Sequence, residues 1–150
     1  MTISNTEKVS KIKKIFYLVS IVIALGILAL FLLDHVLYAL AGLGVFSCWY
    51  LYFHVADYQY IEFSDDNNKI VLKYYKVVSL GGKSYNSIEF PKYRLRKIYF
   101  ENSFFGKLSD LTLIIKTNRG TAEYPSVSLA GLNFEDRKRI QESLNSILKT

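Results

Sequence analysis

Two long apolar runs, separated by only two polar residues, occupy most of the first 56 residues. Residues 15–33 read IFYLVSIVIALGILALFLL and carry no charge, and His54 is the only group in residues 36–56 that titrates near neutral pH. At a rise of ~1.5 Å per residue, ~20 residues cover a hydrocarbon core of ~30 Å, so each run can cross a membrane once. Asp34 and His35 lie between the runs, which predicts a helical hairpin with its polar tip at the far membrane surface.

Charged residues are distributed unevenly along the chain. Residues 15–56 contain one acid, Asp34, and no Lys or Arg, so all 19 basic side chains and 12 of the 13 acids lie elsewhere. The polar part that follows is long enough for one small domain with a single core. We therefore expect a basic N-terminal flank (1–14), a transmembrane hairpin (15–56) with spans 15–33 and 36–56, and a domain at 57–150.

The positions of the lysines predict the orientation of the hairpin. Lys8, Lys11, Lys13 and Lys14 precede the first span, and the tip has no Lys or Arg. Positively charged flanks stay on the cytoplasmic side, so both termini are expected in the cytoplasm. A cleaved signal peptide is disfavoured because the first run is too long and lacks a small-residue cleavage motif. The chain is thus expected to be a multi-pass protein of the cytoplasmic membrane.

Aromatic side chains cluster where the second span ends. Amphipathic rings favour the headgroup layer of a bilayer, so this cluster predicts an interfacial belt. The predicted interfacial anchors are Trp49, Tyr50, Tyr52 and Phe53. Phe16 and Tyr17 mark the same interface on the first span. A lipid- or quinone-binding role for these rings is the alternative interpretation.

From Tyr58 onward the periodicity changes to that of β-strands. Runs rich in β-branched and aromatic residues end at turn-forming clusters, at 65–68, at Gly81-Gly82 and at 117–120. The predicted strands cover residues 58–63, 69–80, 84–90, 93–101, 110–116 and 121–124.

The chain ends on a predicted amphipathic helix. Asn133 is a plausible N-cap, and Asp136 lies at a capping-box-like position. The apolar face of this helix comprises Ile140, Leu144, Ile147 and Leu148. The fold class expected is a membrane α-helical hairpin followed by a mostly β (α+β) domain. In that domain, a strongly bent sheet or barrel of six or seven strands is capped by the C-terminal helix.

This order of elements resembles the bacterial pleckstrin-homology-like (PH-like) domains, many of which follow one or two membrane spans. The resemblance covers about residues 58–148 and rests on the two early strands and on the segments SIEFPKYRLRKIYF, LTLIIKTNRGTAEYP and LAGLNFEDRKRIQESLNSIL. It implies a binding or scaffolding module at a membrane, commonly oligomeric, and not an enzyme. Phosphoinositide-binding members of the superfamily carry basic residues in the loop joining their first two strands. The corresponding loop here, 65–69, is acidic.

The composition of the domain excludes several kinds of chemistry. From residue 57 onward there is no His and no Cys, because the single Cys48 lies in the second span. Ordinary zinc sites and His-based nucleophile systems are therefore excluded there, and no Gly-rich phosphate loop is present. We expect no enzyme, no cofactor and no small-molecule substrate. From residue 57 onward, 15 basic and 11 acidic side chains give +4 of the chain's net charge of +6, a mild excess that is typical of a surface beside an anionic membrane and not of a nucleic-acid footprint.

One sharp basic cluster stands out in the domain. It consists of Lys92, Arg94, Arg96 and Lys97, and is called the basic cluster below. On a regular strand the first three would share one face, opposite Tyr93 and Leu95, and a slip in the alternation predicts a bulge near Arg96–Lys97. These cations are candidate contacts for anionic lipid or an acidic partner, each worth ~1 kcal/mol near a membrane surface. The alternative is a solvated face that discourages edge pairing.

These patterns favour a membrane-anchored interaction or scaffolding module. Its expected partners are the lipid bilayer and either a protein partner or further copies of the chain. The alternative is a small membrane subunit (a pore, a transporter accessory or a toxin-neutralising protein) in which the hairpin is the functional part. In that case Asp34 and His35 would carry protons if they were buried in an assembly. A carboxylate-based enzyme is the third hypothesis.

Overall fold

The architecture is a helical hairpin followed by two antiparallel sheets and a final helix. The structure is a computed structural model, and it describes residues 1–56, 58–78, 85–103 and 108–150. The elements are β1 (Thr2–Ser4), α1 (Thr6–Leu32), α2 (Val36–Ala56), β2 (Gln59–Ser64), β3 (Lys69–Lys76), β4 (Asn86–Pro91), β5 (Leu95–Ser103), β6 (Leu108–Thr117), β7 (Gly120–Glu123), β8 (Val127–Ser128) and α3 (Phe134–Lys149). The predicted domain start at Asp57, the Gly81-Gly82 turn and the strand start at Ser84 lie outside the described residues.

The hairpin is confirmed, with Asp34 and His35 at its tip. Asp34 has a φ of 59°, the left-handed conformation that ends many helices. The backbone N–H of Asp34 donates to Phe31 O at 3.3 Å, and that of His35 donates to Leu30 O at 2.9 Å. These two bonds satisfy two of the last carbonyls of α1, and the chain reverses within the three residues 33–35 before α2 begins at Val36.

The two helices pack tightly along one line and leave their other faces open. Phe16 and Phe53 are buried, and a Cβ on Gly42 would lie only 2.9 Å from Cγ1 of Ile27. Both helices are long and apolar enough to cross a membrane. Only 6% of the most apolar segment of α1 and 11% of that of α2 are buried within the structure. An exposed apolar surface of this extent is typical of a surface that contacts a membrane or another protein.

The first sheet has the order β1-β2-β3-β4 within the described residues. Its inner face carries Ile61 and Phe63 from β2 and Ile70 and Leu72 from β3, all fully buried. The strands alternate because successive side chains point to opposite faces. The predicted 65–68 turn is confirmed, with Asn67 and Asn68 in the left-handed conformation.

The edge strand β1 was not predicted. Ile3 pairs with Phe63 and belongs to the same hydrophobic core. The segment before the first span is therefore part of the domain as well as a basic flank. Likewise, α1 begins nine residues before the predicted span starts at Ile15.

The second sheet has the order β5-β6-β7 in the described part of the chain, and β8 pairs with β6. The predicted bulge is confirmed, because Leu95 pairs with Ile115 while Lys97 pairs with Ile114, which leaves Arg96 as the extra residue. The turn between β6 and β7 is also as predicted. The described strands form two separate sheets and not one closed barrel.

The final helix joins the two sheets through a shared core. The side-chain oxygen of Asn133 accepts a hydrogen bond from the Asp136 N–H at 2.7 Å, which confirms the predicted cap. Ile140 and Leu144 are fully buried in the core cluster formed by both sheets, and Ile147 packs against it. The predicted packing of the helix on the sheets is therefore confirmed.

Candidate functional site

The hairpin and the domain meet in a compact junction, which we call the joint. It consists of Asn5, Val9, Ala56, Gln59, Val77 and Gly131. All six residues are buried. The joint forms because β1 runs directly into α1 through Asn5, and α2 leads within three residues into β2. Both chain crossings between hairpin and domain therefore occur side by side.

Asn5 provides the polar contacts of the joint. Its Nδ2 donates to Gln59 O at 2.9 Å, and its Oδ1 accepts from the Ile61 N–H at 2.8 Å. Its backbone N–H also donates to Ile61 O at 3.2 Å. Asn5 occupies the N-cap position of α1, but its side chain makes no capping bond there. The amide instead joins the start of α1 to the start of β2.

Gly131 leaves the space that this arrangement needs. A Cβ at this position would lie 2.6 Å from Nδ2 of Asn5 and 2.7 Å from the carbonyl oxygen of Gln59. Both distances are shorter than real Cβ contacts, so a larger residue would displace the amide or the strand. The loop before α3 thus closes over the joint only because it carries a glycine there.

The joint also contains three buried apolar residues. Val9 lies on the second turn of α1, Ala56 ends α2, and Val77 follows β3, with its N–H donating to Tyr58 O at 3.0 Å. Because two chain segments and three hydrogen bonds hold the two parts together, the domain is joined to the hairpin at more than a single chain connection.

The predicted interfacial anchors have different surroundings. Phe53 is buried at the centre of the aromatic cluster, with ring centroids 5.0 Å from Phe16 and 4.8 Å from Trp49. Tyr52 is exposed, and its hydroxyl lies 3.4 Å from that of Tyr58. Burial and this neighbouring hydroxyl raise the pKa of Tyr58 to about 12. Phe53 therefore packs the hairpin, while Tyr52 lies on its surface.

A second aromatic group lies on the outer face of the first sheet. Tyr60 and Tyr75 pair on β2 and β3, Tyr85 directly precedes β4, and we call the three residues the tyrosine row. Their ring centroids are 4.9 Å apart between Tyr60 and Tyr75 and 4.8 Å apart between Tyr75 and Tyr85. Burial raises the pKa of Tyr60 and of Tyr75. The row lies at the end of the sheet next to the joint, because β2 begins only one residue before Tyr60.

The basic cluster lies at the opposite end of this sheet. Lys69 pairs with Pro91, and the N–H of Lys92 donates to Asn68 O at 2.9 Å, so the cluster begins beside the β2–β3 turn. Tyr75 and Lys69 are six residues apart on β3, which corresponds to about 20 Å at ~3.3 Å per residue. The cluster is therefore remote from the joint.

The predicted common strand face of Lys92, Arg94 and Arg96 is wrong. Lys92–Arg94 form a 3₁₀ turn, and Arg96 is the bulged residue of β5. The chain turns here because Pro91 ends β4 and the backbone must pass from the first sheet to the second. Tyr93, predicted to face inward, is 75% exposed.

An open groove borders the basic cluster and has a volume of about 600 Å³. It is lined by Asn68, Lys92, Tyr93, Ser146, Ile147 and Thr150. None of the four cations forms an ion pair with a carboxylate among the described residues, although the guanidinium of Arg94 lies 5.9 Å from the ring centre of Tyr93. Lys92 attracts the Asp65 carboxylate, so Arg94, Arg96 and Lys97 are the cations of the cluster that have no acidic partner among the described residues.

The acidic turn next to the groove is occupied by contacts within the chain. The Met1 amino group donates to Asp65 at 2.8 Å, and the Ser143 hydroxyl also donates to this carboxylate. Burial alone would raise the pKa of Asp65, but these hydrogen bonds outweigh it and hold the pKa below its usual value. The turn therefore connects the N-terminus and α3.

Sequence reasoning found the basic cluster but missed the joint. Asn5 lies in a short polar segment before an apolar run, where an amide predicts only a helix cap. Gly131 is a single glycine in a loop, and the members of the tyrosine row lie on three separate segments. Only their strand pairing brings these residues together. No protein-family profile, curated protein or solved structure matches this chain.

Proposed function

We propose that this chain is a two-span protein of the bacterial cytoplasmic membrane that presents a protein-binding surface to the cytoplasm. The hairpin anchors it, both termini lie in the cytoplasm, and the domain acts as an interaction or scaffolding module. The basic cluster and its groove form the binding surface. Its partner is an acidic protein segment, supplied by another protein or by a second copy of the chain.

The unpaired charge of the basic cluster is the observation that carries this proposal. Elsewhere on the first sheet, cations have partners, such as Lys69 with Glu89 at 3.0 Å and Lys73 with Glu62 at 3.3 Å. Arg94 and Arg96, which form no ion pair with a carboxylate of the described residues, belong to the same cluster as the exposed ring of Tyr93, and Arg and Tyr are both enriched at protein interfaces.

The position of the cluster favours a protein partner over the membrane to which the chain is anchored. About 20 Å of sheet separate the cluster from the joint, whereas electrostatic attraction is screened within ~8 Å at physiological salt. The resemblance to PH-like domains supports the same reading, because such domains at membranes commonly act as binding or scaffolding modules. Lipid contact by the basic cluster, which the sequence also suggested, is the less favoured reading.

The test is photo-crosslinking of the full-length protein in cells. A photoreactive phenylalanine analogue replaces Tyr93, and the crosslinked product is identified by mass spectrometry. Changing Arg94 and Arg96 together to Ser should reduce the yield of a specific protein product several-fold, and high salt applied to membrane vesicles should reduce it as well.

The matched control removes two charges from another surface. Lys138 and Arg139 are exposed on α3, and changing both to Ser lowers the net charge by the same amount. This control should leave the crosslinking yield unchanged. An equal loss in both double variants, or crosslinks to lipid alone, would contradict a protein-binding role for the basic cluster.

A further inference from the structure

The types of side chain on the outer face of the first sheet change along its strands, from aromatic to charged. The row next to the joint is the stacked tyrosine row. The next rows toward the β2–β3 turn carry the ion pairs of Glu62 with Lys73 and of Glu89 with Lys69. Among the described residues, the aromatic side chains of this face thus lie at the end beside the hairpin, and its two ion pairs lie farther away.

The tyrosine row continues the aromatic cluster of the hairpin. Tyr58 lies 5.9 Å from Phe53, and Tyr60 follows two residues later on β2. The same order of side chains, with amphipathic rings first and ion pairs farther out, is found where proteins leave a bilayer. The reason is that amphipathic rings favour the headgroup layer, whereas paired charges favour water.

The distance along α1 from the start of the apolar run to the joint is consistent with the tyrosine row lying near the lipid headgroups. The change from Lys13 and Lys14 to the apolar run that begins at Ile15 sets the level at which we expect lipid chains to meet headgroups. From Lys13 up to Asn5 the helix rises by about 12 Å at ~1.5 Å per residue. Because the polar layer of a leaflet is ~5–8 Å deep, the joint lies ~4–7 Å beyond it, a distance that a tyrosine side chain extending from the adjacent row is long enough to span.

We infer that the tyrosine row is a membrane-contact surface, which holds the underside of the domain on the lipid headgroups. The inference rests on the anchored hairpin of the proposed function and assigns the lipid contact to the tyrosine row, whereas the sequence suggested the basic cluster. The exposed ring of Tyr85, 65% accessible, is the member with most surface to bury. Together with the joint, this contact fixes the domain, so that its basic end stays available to a partner.

The test uses tryptophan as a depth probe, because Trp49 is the only tryptophan in the chain. The full-length protein is placed in phosphatidylcholine vesicles in which a fraction of the lipid carries a nitroxide on its headgroup. Native Trp49 reports whether the hairpin is inserted. Tyr85→Trp in a Trp49→Phe background then reports the tyrosine row, and Tyr93→Trp in the same background is the matched control at the other end of the sheet.

The headgroup nitroxide should quench Tyr85→Trp at least twofold more strongly than Tyr93→Trp. If Trp49 is quenched but Tyr85→Trp is not, the hairpin is inserted and the inference is overturned. If Trp49 itself is unquenched, the membrane anchor of the proposed function fails. Stronger quenching of Tyr93→Trp would place the basic cluster on the membrane instead.

Two further controls keep the result interpretable. Tyr60→Trp in the same background repeats the measurement at the other end of the row, in case the Tyr85 variant does not fold. A second copy of the chain is the competing occupant of this surface. A Tyr85→Trp signal that is unquenched by the nitroxide lipid but shifts with protein dilution would assign the row to that second copy and overturn the lipid contact.

Discussion

Three positions in the chain depend on the chemistry of one residue type. Asp34 closes the hairpin tip with a φ of 59°, a conformation that Asp tolerates better than most residues. Gly131 admits the Asn5 amide because it lacks a Cβ. Asn5 satisfies a carbonyl and an N–H of β2 with one side chain, since an amide both donates and accepts. Each position depends on a specific chemical property more than on hydrophobicity.

Asn5→Ala should strongly destabilise the full-length protein, because it removes a buried side chain that makes two hydrogen bonds. The substitution leaves Gln59 O and the Ile61 N–H buried without the side-chain partner, at a cost of about 1–3 kcal/mol for each group. Asn5→Asp should also destabilise, because a carboxylate accepts from Ile61 but cannot donate to Gln59. Chemical unfolding in detergent, followed by circular dichroism, measures both changes. An unchanged unfolding midpoint for Asn5→Ala would show that the amide does not stabilise the joint.

The elements differ in how much of their stability is local. The hairpin tip and the N-cap of α3 are closed by bonds between residues no more than five positions apart. By contrast, β1 has only three residues and takes its hydrogen bonds from the edge of β2. A strand this short is stable only through pairing and burial, because it fixes few contacts of its own.

Ile3→Ala tests whether β1 belongs to the domain. The side chain is buried in the core, so its removal should cost ~2–5 kcal/mol. Thr2→Ala is the control on the same strand, because Thr2 points outward and is exposed; its expected effect is below ~0.5 kcal/mol. Equal unfolding free energies for the two variants would argue that β1 adds nothing to the core.

Leu144→Ala tests α3 as the element that closes the core. Leu144 is fully buried, so the expected loss is again ~2–5 kcal/mol. Leu148 lies one turn later and is 36% exposed, so Leu148→Ala should cost clearly less. Denaturant titration of both full-length variants provides the comparison. Similar losses at the two positions would mean that α3 packs differently on the sheets.

The molecule as a whole has two ends with different surfaces. Hairpin, joint and tyrosine row lie at one end, and the β2–β3 turn, the groove and the basic cluster lie at the other. Two features determine which end of the domain lies next to the hairpin. First, β1 and β2 both meet the hairpin at the joint; second, α3 begins near the joint and ends at the groove. This arrangement would hold the proposed binding surface at a fixed distance from the proposed membrane anchor.

Topology reporters test the orientation of the whole chain. A reporter that is active only in the cytoplasm, fused after Thr150, should give a strong signal, and the same reporter inserted at the Asp34–His35 tip should give none. The expectation follows from the four lysines before the first apolar run and from their absence at the tip. The opposite pattern of signals would invert the proposed topology and place the domain outside the cytoplasm.

Local sequence was sufficient for the hairpin, its tip, the bulge at Arg96 and the cap of α3. Each depends on residues close together in the chain: apolar length, an Asp that tolerates a left-handed turn, strand alternation, and an Asn before a helix. The joint was beyond such reasoning, because Asn5 contacts residues 54 and 56 positions away. The tyrosine row and the 3₁₀ turn of the basic cluster also depend on strand pairing and on where the chain changes sheets. Those contacts arise only when distant segments pack, since no local pattern encodes which strand lies beside which.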